Sequence, residues 1–239
     1  MGNGAMVGAV LVRDGNIMAE AFHEMFGGPH AEHRLLESFP NEVKPEDVLY
    51  VNLEPCCHYG KTPPCVDLLV QRGVRRVVVG TADPDPRVSG EGMRRLRAVG
   101  VEVHGPLLRA ECERCNRGFF ALRTKGRPWI TLKRAQTREG SIAHADGSPL
   151  KITSLTQDIW SHSALRANVD AILVGVQTVI ADDPQLDARL AKLNKKVDQK
   201  IPQPYRIILD PSLRIPLEAR VGNAAARSRT IVVADAAMR

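Results

Sequence analysis

Three side chains that bind soft divalent metals and one that can carry protons stand at informative spacing in this sequence. His30 and Glu32 lie in Gly28-Pro29-His30-Ala31-Glu32, and Cys56 and Cys65 close the two ends of Cys56-Cys57-His58-Tyr59-Gly60-Lys61-Thr62-Pro63-Pro64-Cys65. Zinc takes nitrogen and sulfur ligands, and a catalytic site combines three of them with a fourth position open to water. One imidazole and two thiolates meet that requirement. His30 and Cys65 each open a predicted helix, whose positive N-terminus favours thiolate over thiol. A metal held this way makes water acidic near neutral pH, and a carboxylate must then take the proton and hand it to a departing amine. Glu32, two residues beyond His30, can face the reacting centre without binding the metal. The glycine- and proline-rich loop between the cysteines can fold back and bring both sulfurs to one ion. Cys57 is the weaker thiol, since adjacent side chains of an extended segment point opposite ways. Cys112 and Cys115, three apart on a predicted helix, read as packing residues.

Along the chain, short apolar runs alternate with amphipathic ones, the rhythm of an α/β protein. Strands are predicted over 6–12, 17–21, 48–53 and 74–80, and helices over 30–39, 64–72 and 90–98. Gly73 and Gly100 sit just past helix ends, where a left-handed residue is wanted. A longer helix is predicted over 107–124, ended by Lys125-Gly126-Arg127-Pro128. The rhythm then restarts with a strand over 129–133, a helix over 155–168 and strands over 171–175, 206–209 and 230–234, with a polar loop over 192–203. The domain boundary is placed near Gly126, giving a zinc domain over 1–125 and a second α/β domain over 126–239. The last strand ends close to Arg239, so the second sheet is expected to be unfinished.

The composition is that of a globular protein, 44% apolar and 25% charged. Eighteen consecutive apolar residues occur nowhere, which excludes a membrane-spanning helix as partner surface, and the N-terminus lacks the pattern of a signal peptide. The expected compartment is the cytoplasm, and the odd count of five cysteines argues for metal or thiolate chemistry over a disulfide framework. The net charge of +6 comes without a long basic run and with only 4% aromatic residues, a poor platform for stacking nucleic-acid bases. A small phosphorylated substrate accounts for the charge as well.

The His-x-Glu…Pro-Cys pattern is that of zinc-dependent nucleobase deaminases, with one departure: the second cysteine there follows three residues after the first, and here nine. With that long loop the chain resembles the bifunctional pyrimidine deaminase/reductase family of riboflavin biosynthesis. The loop Glu54-Pro-Cys-Cys-His-Tyr-Gly-Lys-Thr-Pro-Pro-Cys65 carries the resemblance, with Val7-Gly-Ala-Val10 and Asp83-Pro-Asp-Pro-Arg-Val-Ser-Gly90 beside it. The resemblance implies a cytidine-deaminase-like zinc domain that removes the exocyclic amine of a diaminopyrimidinone bearing a ribosylamino 5-phosphate. By that resemblance His30, Cys56 and Cys65 hold zinc and Glu32 carries the proton. His23, His58, Lys61 and Asp83 hold substrate, Lys61 suiting the phosphate as a point charge. Two features depart from the family: Asn3-Gly4-Ala5 stands where an Asn within Pro-Asn-Pro is usual, and the customary first helix is missing.

The second domain resembles the family's reductase, which implies a dihydrofolate-reductase-like fold and NADPH. Lys133-Arg-Ala135, Ile152-Thr-Ser154, Arg166-Ala167, Asp170-Ala-Ile-Leu-Val-Gly175 and Ala181-Asp-Asp-Pro-Gln-Leu-Asp-Ala-Arg189 match. The resemblance places Ala135, Thr178 and Asp182 at the nicotinamide cofactor and Arg166, Leu186 and Arg189 at the substrate, the arginines gripping phosphate in pairs. Thr137-Arg-Glu-Gly140 stands for Ser-Leu-Asp-Gly, Lys151 for a Trp, and no Glu-Gly-Gly segment follows, so this reductase domain is expected to be partial and inactive. The family also leads one to expect assembly into homo-oligomers, to which an open sheet edge lends itself. Two further readings stand beside this one: a deaminase of tRNA or cytidine bases, and a zinc scaffold without catalysis. Scarce aromatics and the long cysteine spacing weigh against the first, and Glu32 against the second.

Overall fold

The computed structural model describes residues 4–60, 62–86, 88–192, 201, 203–223 and 227–238, grouped in two compact units, Met1–Thr131 and Leu132–Arg239. The predicted Lys61 site, Asn3 and most of the 192–203 loop lie outside the described residues.

The first unit is built on a five-stranded sheet in the order β2-β1-β3-β4-β5. Strands β1 (Gly8–Arg13) and β2 (Asn16–Phe22) form a hairpin, turned by Asp14 and Gly15. Both turn residues have positive φ, 49° and 77°, the twist that suits a right-handed ribbon and the reason Asp-Gly recurs at such turns. Strand β3 (Val48–Val51) lies antiparallel to β1, whereas β4 (Arg76–Val79) and β5 (Glu102–His104) continue parallel to it. Parallel neighbours need crossovers: helix α2 (Cys65–Gln71) joins β3 to β4, and α3 (Glu91–Ala98) joins β4 to β5. Helix α1 (Ala31–Ser38) packs on β1 and β2.

Period-two alternation sends Leu49, Val51, Val77 and Val79 to one face of the sheet, where they meet Leu35, Leu36, Leu69 and Leu96 from the three helices, all almost wholly buried. Burying a side chain of this size stabilises by ~1.5–3 kcal/mol, so this one cluster anchors β1, β3, β4 and the helices α1, α2 and α3 to one another. Gly73 and Gly100 take positive φ at the ends of α2 and α3, as the helix-end reading expects.

Elsewhere local pattern and structure part. The helix predicted over 107–124 is two, α4 (Arg109–Cys115) and α5 (Arg117–Lys125), divided at Asn116. Asn116 is buried and spends its side chain on the backbone of Met6, its Oδ1 accepting from Met6 N at 2.7 Å and its Nδ2 donating to Met6 O at 3.0 Å. That long-range clamp outweighs helix continuity. Cys112 packs on Gly80, where no Cβ would fit, but Cys115 is exposed and packs nothing away. The strand predicted over 129–133 does not form among the described residues: Trp129, Ile130 and Leu132 are exposed and no strand takes up their backbone. Strand β5 escapes sequence reading because its three residues are too few to show a period.

The second unit holds a parallel sheet β6-β7-β8 of Ala171–Gly175, Tyr205–Leu209 and Thr230–Val233. Helix α6 (Leu155–Trp160) starts from a capping box, Ser154 accepting from Gln157 N while Gln157 accepts from Ser154 N. The predicted helix over 155–168 continues only as a π turn and a 3-10 turn to Asn168. Helix α7 (Val176–Asp182), directly after β6, buries Val176 and Val179 with Leu186, Ile208 and Val221. No helix among the described residues is long and apolar enough to cross a membrane.

Candidate active site

In a parallel α/β sheet, the loops leaving the C-terminal ends of the strands form the natural crevice. The chain places its chemistry there. Cys56 follows β3 and Cys65 opens α2, while Asp83 follows β4 and His30 precedes α1. Loop residue Cys56 accepts from the Cys65 backbone N–H at 3.3 Å, and its carbonyl accepts from Val66 N at 3.2 Å. The long loop therefore does close on itself at the first turn of α2.

His30 Nδ1 lies 3.3 Å from Cys65 Sγ and 3.5 Å from Cys56 Sγ, and the donor atoms of these three residues lie within 4.8 Å of one another. A tetrahedral zinc with bonds of ~2.1 Å to nitrogen and ~2.3 Å to sulfur separates its donors by about 3.6 Å. The three residues fit that ion in type and spacing. The electrostatics agree. Cys56 is pulled down to about 4, chiefly by the Cys65 thiol hydrogen bond and also by His30. Cys65 is pushed well up because it donates to Cys56 and is buried. His30 rises through its hydrogen bond to Cys56. One thiolate, one thiol and an imidazole thus share the pocket, a donor set that a divalent cation would neutralise. Cys57 is buried away from them, burial raising its thiol, and its carbonyl accepts from Arg95 Nη1 at 2.8 Å.

Glu32 sits in the first turn of α1 with 3% of its surface exposed. Burial lifts its carboxyl above the ordinary carboxylate range, with Cys56 adding to the rise and His30 opposing it. A buried carboxyl raised in this way holds a proton more readily than an exposed one, which suits a group that takes up and hands on protons.

His30, Glu32 and Cys56 line one cavity of about 250 Å³ together with His23, His58, Asp83 and, from α5, Phe119 and Arg123. His23 donates from Nδ1 to Pro29 O at 3.0 Å and meets the His30 ring edge to face at 5.6 Å. His58 Nδ1 is buried without a hydrogen-bond partner among the described residues, a polar atom left for a ligand to satisfy. Asp83 is raised to about 6 by burial, with Asp85 and Glu54 contributing. Gly4, at the position of the family's usual Asn, also lines the cavity, and a side chain there would press on Phe26. A larger groove of about 730 Å³ runs between β1, β2 and α1, but it contains none of the predicted site residues.

Sequence reading assigned no role to Glu54, Thr62, Phe119 or Arg123. Glu54, 3% exposed, accepts from the backbone N–H groups of Asp83, Gly90 and Met93 and so ties the cysteine loop to the Asp83 turn and to α3. The close approach needs Gly92, where a Cβ would run into the Pro55 carbonyl. An acidic residue in so apolar a stretch was the available signal. Phe119 and Arg123 had none, since only the chain's return along α5 brings them to the cavity.

In the second unit Arg166 and Arg189 are drawn together by Asp187. Arg166 Nη1 donates to Asp187 O at 3.0 Å and Arg189 Nη1 to Asp187 Oδ1 at 2.5 Å. Burial, then the charge of Arg189, lowers Arg166. Leu186 is buried in that unit's core at a φ of 49°. Thr178 and Asp182 lie one turn apart on α7, both exposed, and Ala135 lies in the irregular segment leading to the 137–140 turn. Lys151 makes an ion pair with Asp158 of α6.

Comparison with known proteins matches two separate stretches of the chain. Residues 2–81 match the cytidine and deoxycytidylate deaminase zinc-binding region, and residues 128–239 match the RibD C-terminal domain. The riboflavin biosynthesis protein RibD of Aquifex aeolicus is 46% identical over 217 residues, 91% of this chain. Both matched stretches, in this order, make the chain similar to the RibD proteins. RibD of Escherichia coli is 40% identical over 87% of it. Among solved structures, RibD of Acinetobacter baumannii superposes with a TM-score of 0.84 at 35% identity, covering 98% of this chain and 64% of that one. A Thermotoga maritima diaminohydroxyphosphoribosylaminopyrimidine deaminase/5-amino-6-(5-phosphoribosylamino)uracil reductase gives 0.83 at 40% identity, over 95% and 62%. The chain spans about 58% of the length of the curated relatives it matches. The fold is therefore the expected one, a cytidine-deaminase-like zinc domain followed by a dihydrofolate-reductase-like domain of the RibD type.

Proposed function

We propose that the first unit is the deaminase of riboflavin biosynthesis, hydrolysing the exocyclic amine of diaminohydroxyphosphoribosylaminopyrimidine and releasing ammonia. The observation that carries this reading is the His30–Cys56–Cys65 donor cluster, with Glu32 buried beside it and lining the same cavity as His30 and Cys56. Zinc held by those three residues would supply the Lewis acidity that makes water a nucleophile at neutral pH. Glu32 takes the proton from the attacking water and delivers it to the departing amine nitrogen, so the ring gains a carbonyl and the amine leaves as ammonia. His30 orients the centre and Cys56 offers its thiolate without prior deprotonation. His23, His58 and Asp83 hold the pyrimidine and its substituents, and Lys61 meets the phosphate by resemblance to the family.

The second unit is read as the reductase-type domain, with Ala135, Thr178 and Asp182 toward NADPH and Arg166, Leu186 and Arg189 toward the phosphorylated substrate. The pairing of Arg166 and Arg189 around Asp187 supports the last of these. None of the five cysteines, all among the described residues, forms a disulfide, which suits a cytoplasmic enzyme. The test is ammonia release by purified protein of known zinc content. We expect about one zinc per chain, with release from the diaminopyrimidine substrate and none from tRNA or cytidine. Zinc without ammonia release from any of the three would leave only a scaffold.

A further inference from the structure

Resting on that zinc reading, we propose that Thr62 is a positioning residue for the metal site, its hydroxyl oxygen accepting the Nε2–H of His30 so that Nδ1 offers its lone pair to the metal. The geometry is direct. Thr62 Oγ1 lies 3.3 Å from His30 Nε2, on the opposite edge of the ring from the two sulfurs, which lie 3.3 and 3.5 Å from Nδ1. A neutral imidazole carries one N–H, and the partner of that N–H decides which nitrogen is left to bind. Metal-ligating histidines commonly donate their second nitrogen to an oxygen that fixes tautomer and ring plane.

The same contact explains the long cysteine loop. With Cys65 nine residues after Cys56, the chain has length enough to lay Thr62 against the far edge of His30 before α2 begins. Gly60 N donates to Thr62 O at 3.3 Å, holding the turn that presents the hydroxyl. A hydroxyl also suits this site better than a carboxylate. Two cysteines already bring the negative charge that balances a divalent cation, and a third anion behind the histidine would blunt its Lewis acidity. A hydroxyl can moreover donate as well as accept, so it serves the ring whether Nδ1 faces the Cys56 thiolate or a cation.

The test uses the full chain and two variants. Thr62→Val keeps the β-branched shape and removes the hydroxyl, and Thr62→Ser keeps the hydroxyl. Zinc affinity is measured by chelator competition at fixed pH. Thr62→Val should bind zinc roughly 10–100-fold more weakly, the scale for loss of a partner behind a ligand, and Thr62→Ser should stay close to wild type. In the zinc-loaded wild type, nitrogen-15 NMR should find the His30 proton on Nε2. Equal affinity of Thr62→Val and wild type overturns the proposal, and so does equal weakening of both variants, which would assign the effect to shape. A wild-type chain that takes up no zinc overturns the zinc reading together with this one, whereas normal wild-type loading with an indifferent Thr62→Val overturns this one alone.

Discussion

Replacing Glu54 tests whether the loop that carries Cys56 is held where the site needs it. The side chain is 3% exposed, and its oxygens accept from Asp83 N at 3.2 Å, Gly90 N at 2.8 Å and Met93 N at 3.0 Å. Glu54→Ala strands three backbone donors in the interior, each costing ~1–3 kcal/mol. Allowing for partial relaxation, the loss should reach roughly 3–6 kcal/mol, a large part of the ~5–15 kcal/mol that holds a domain together. Glu54→Gln is the sharper probe because its shape is unchanged. Its amide oxygen can replace Oε2, serving Asp83 N and Gly90 N, or Oε1, serving Met93 N, and its NH2 must then face the remaining donor. One or two orphaned donors predict a loss of ~2–3 kcal/mol. At roughly 3–5 °C per kcal/mol for a unit of this size, the unfolding midpoint should fall by about 6–15 °C. The assay is thermal unfolding followed by circular dichroism, with zinc release recorded in the same ramp. Because Glu54 is two residues from Cys56, zinc should leave at the lowered midpoint. A Glu54→Gln midpoint within ~2 °C of wild type would refute the claim that this carboxyl clamps the loop.

Glu32→Gln should keep zinc and lose deamination by at least ~100-fold, the scale of general acid–base catalysis; a variant keeping more than half its activity would move proton transfer to another group. Cys56→Ser and Cys65→Ser should each abolish zinc binding while Cys57→Ser, whose parent thiol is buried outside the cluster, should load normally; equal losses in all three would show the ligand assignment to be wrong. Asp83, raised to about 6 chiefly by burial, is protonated more readily folded than unfolded, so the folded state is favoured below pH 4 and penalised as pH rises through 6. Asp83→Asn should therefore gain stability relative to wild type above pH 6 and not below pH 4, measured as urea midpoints across that range; a pH-independent difference would mean that the buried charge is already compensated.

What the sequence alone determined are features whose physics is local. Val48–Val51, Arg76–Val79 and Ala171–Gly175 form strands where short β-branched runs predicted them, and Gly73 and Gly100 end helices with the backbone only glycine takes freely. The metal donors were legible because zinc demands particular atoms and the Pro-Cys turn fixes which residues can supply them. Other parts depend on what meets what across the chain. Asn116 breaks a helix in order to hold Met6, and the apolar segment after Pro128 stays out of any sheet among the described residues, since a strand needs a partner edge as well as a pattern. Phe119 and Arg123 reach the cavity only because α5 folds back over it. Glu54 and Thr62 were visible as letters in the motif, but a carboxyl clasping three amides and a hydroxyl behind an imidazole are relations between distant backbone segments. Packing then decided the chemistry: burial lifts Glu32 and Asp83, and the hydrogen bond between Cys65 and Cys56, brought together by the folded loop, pulls Cys56 down and pushes Cys65 up.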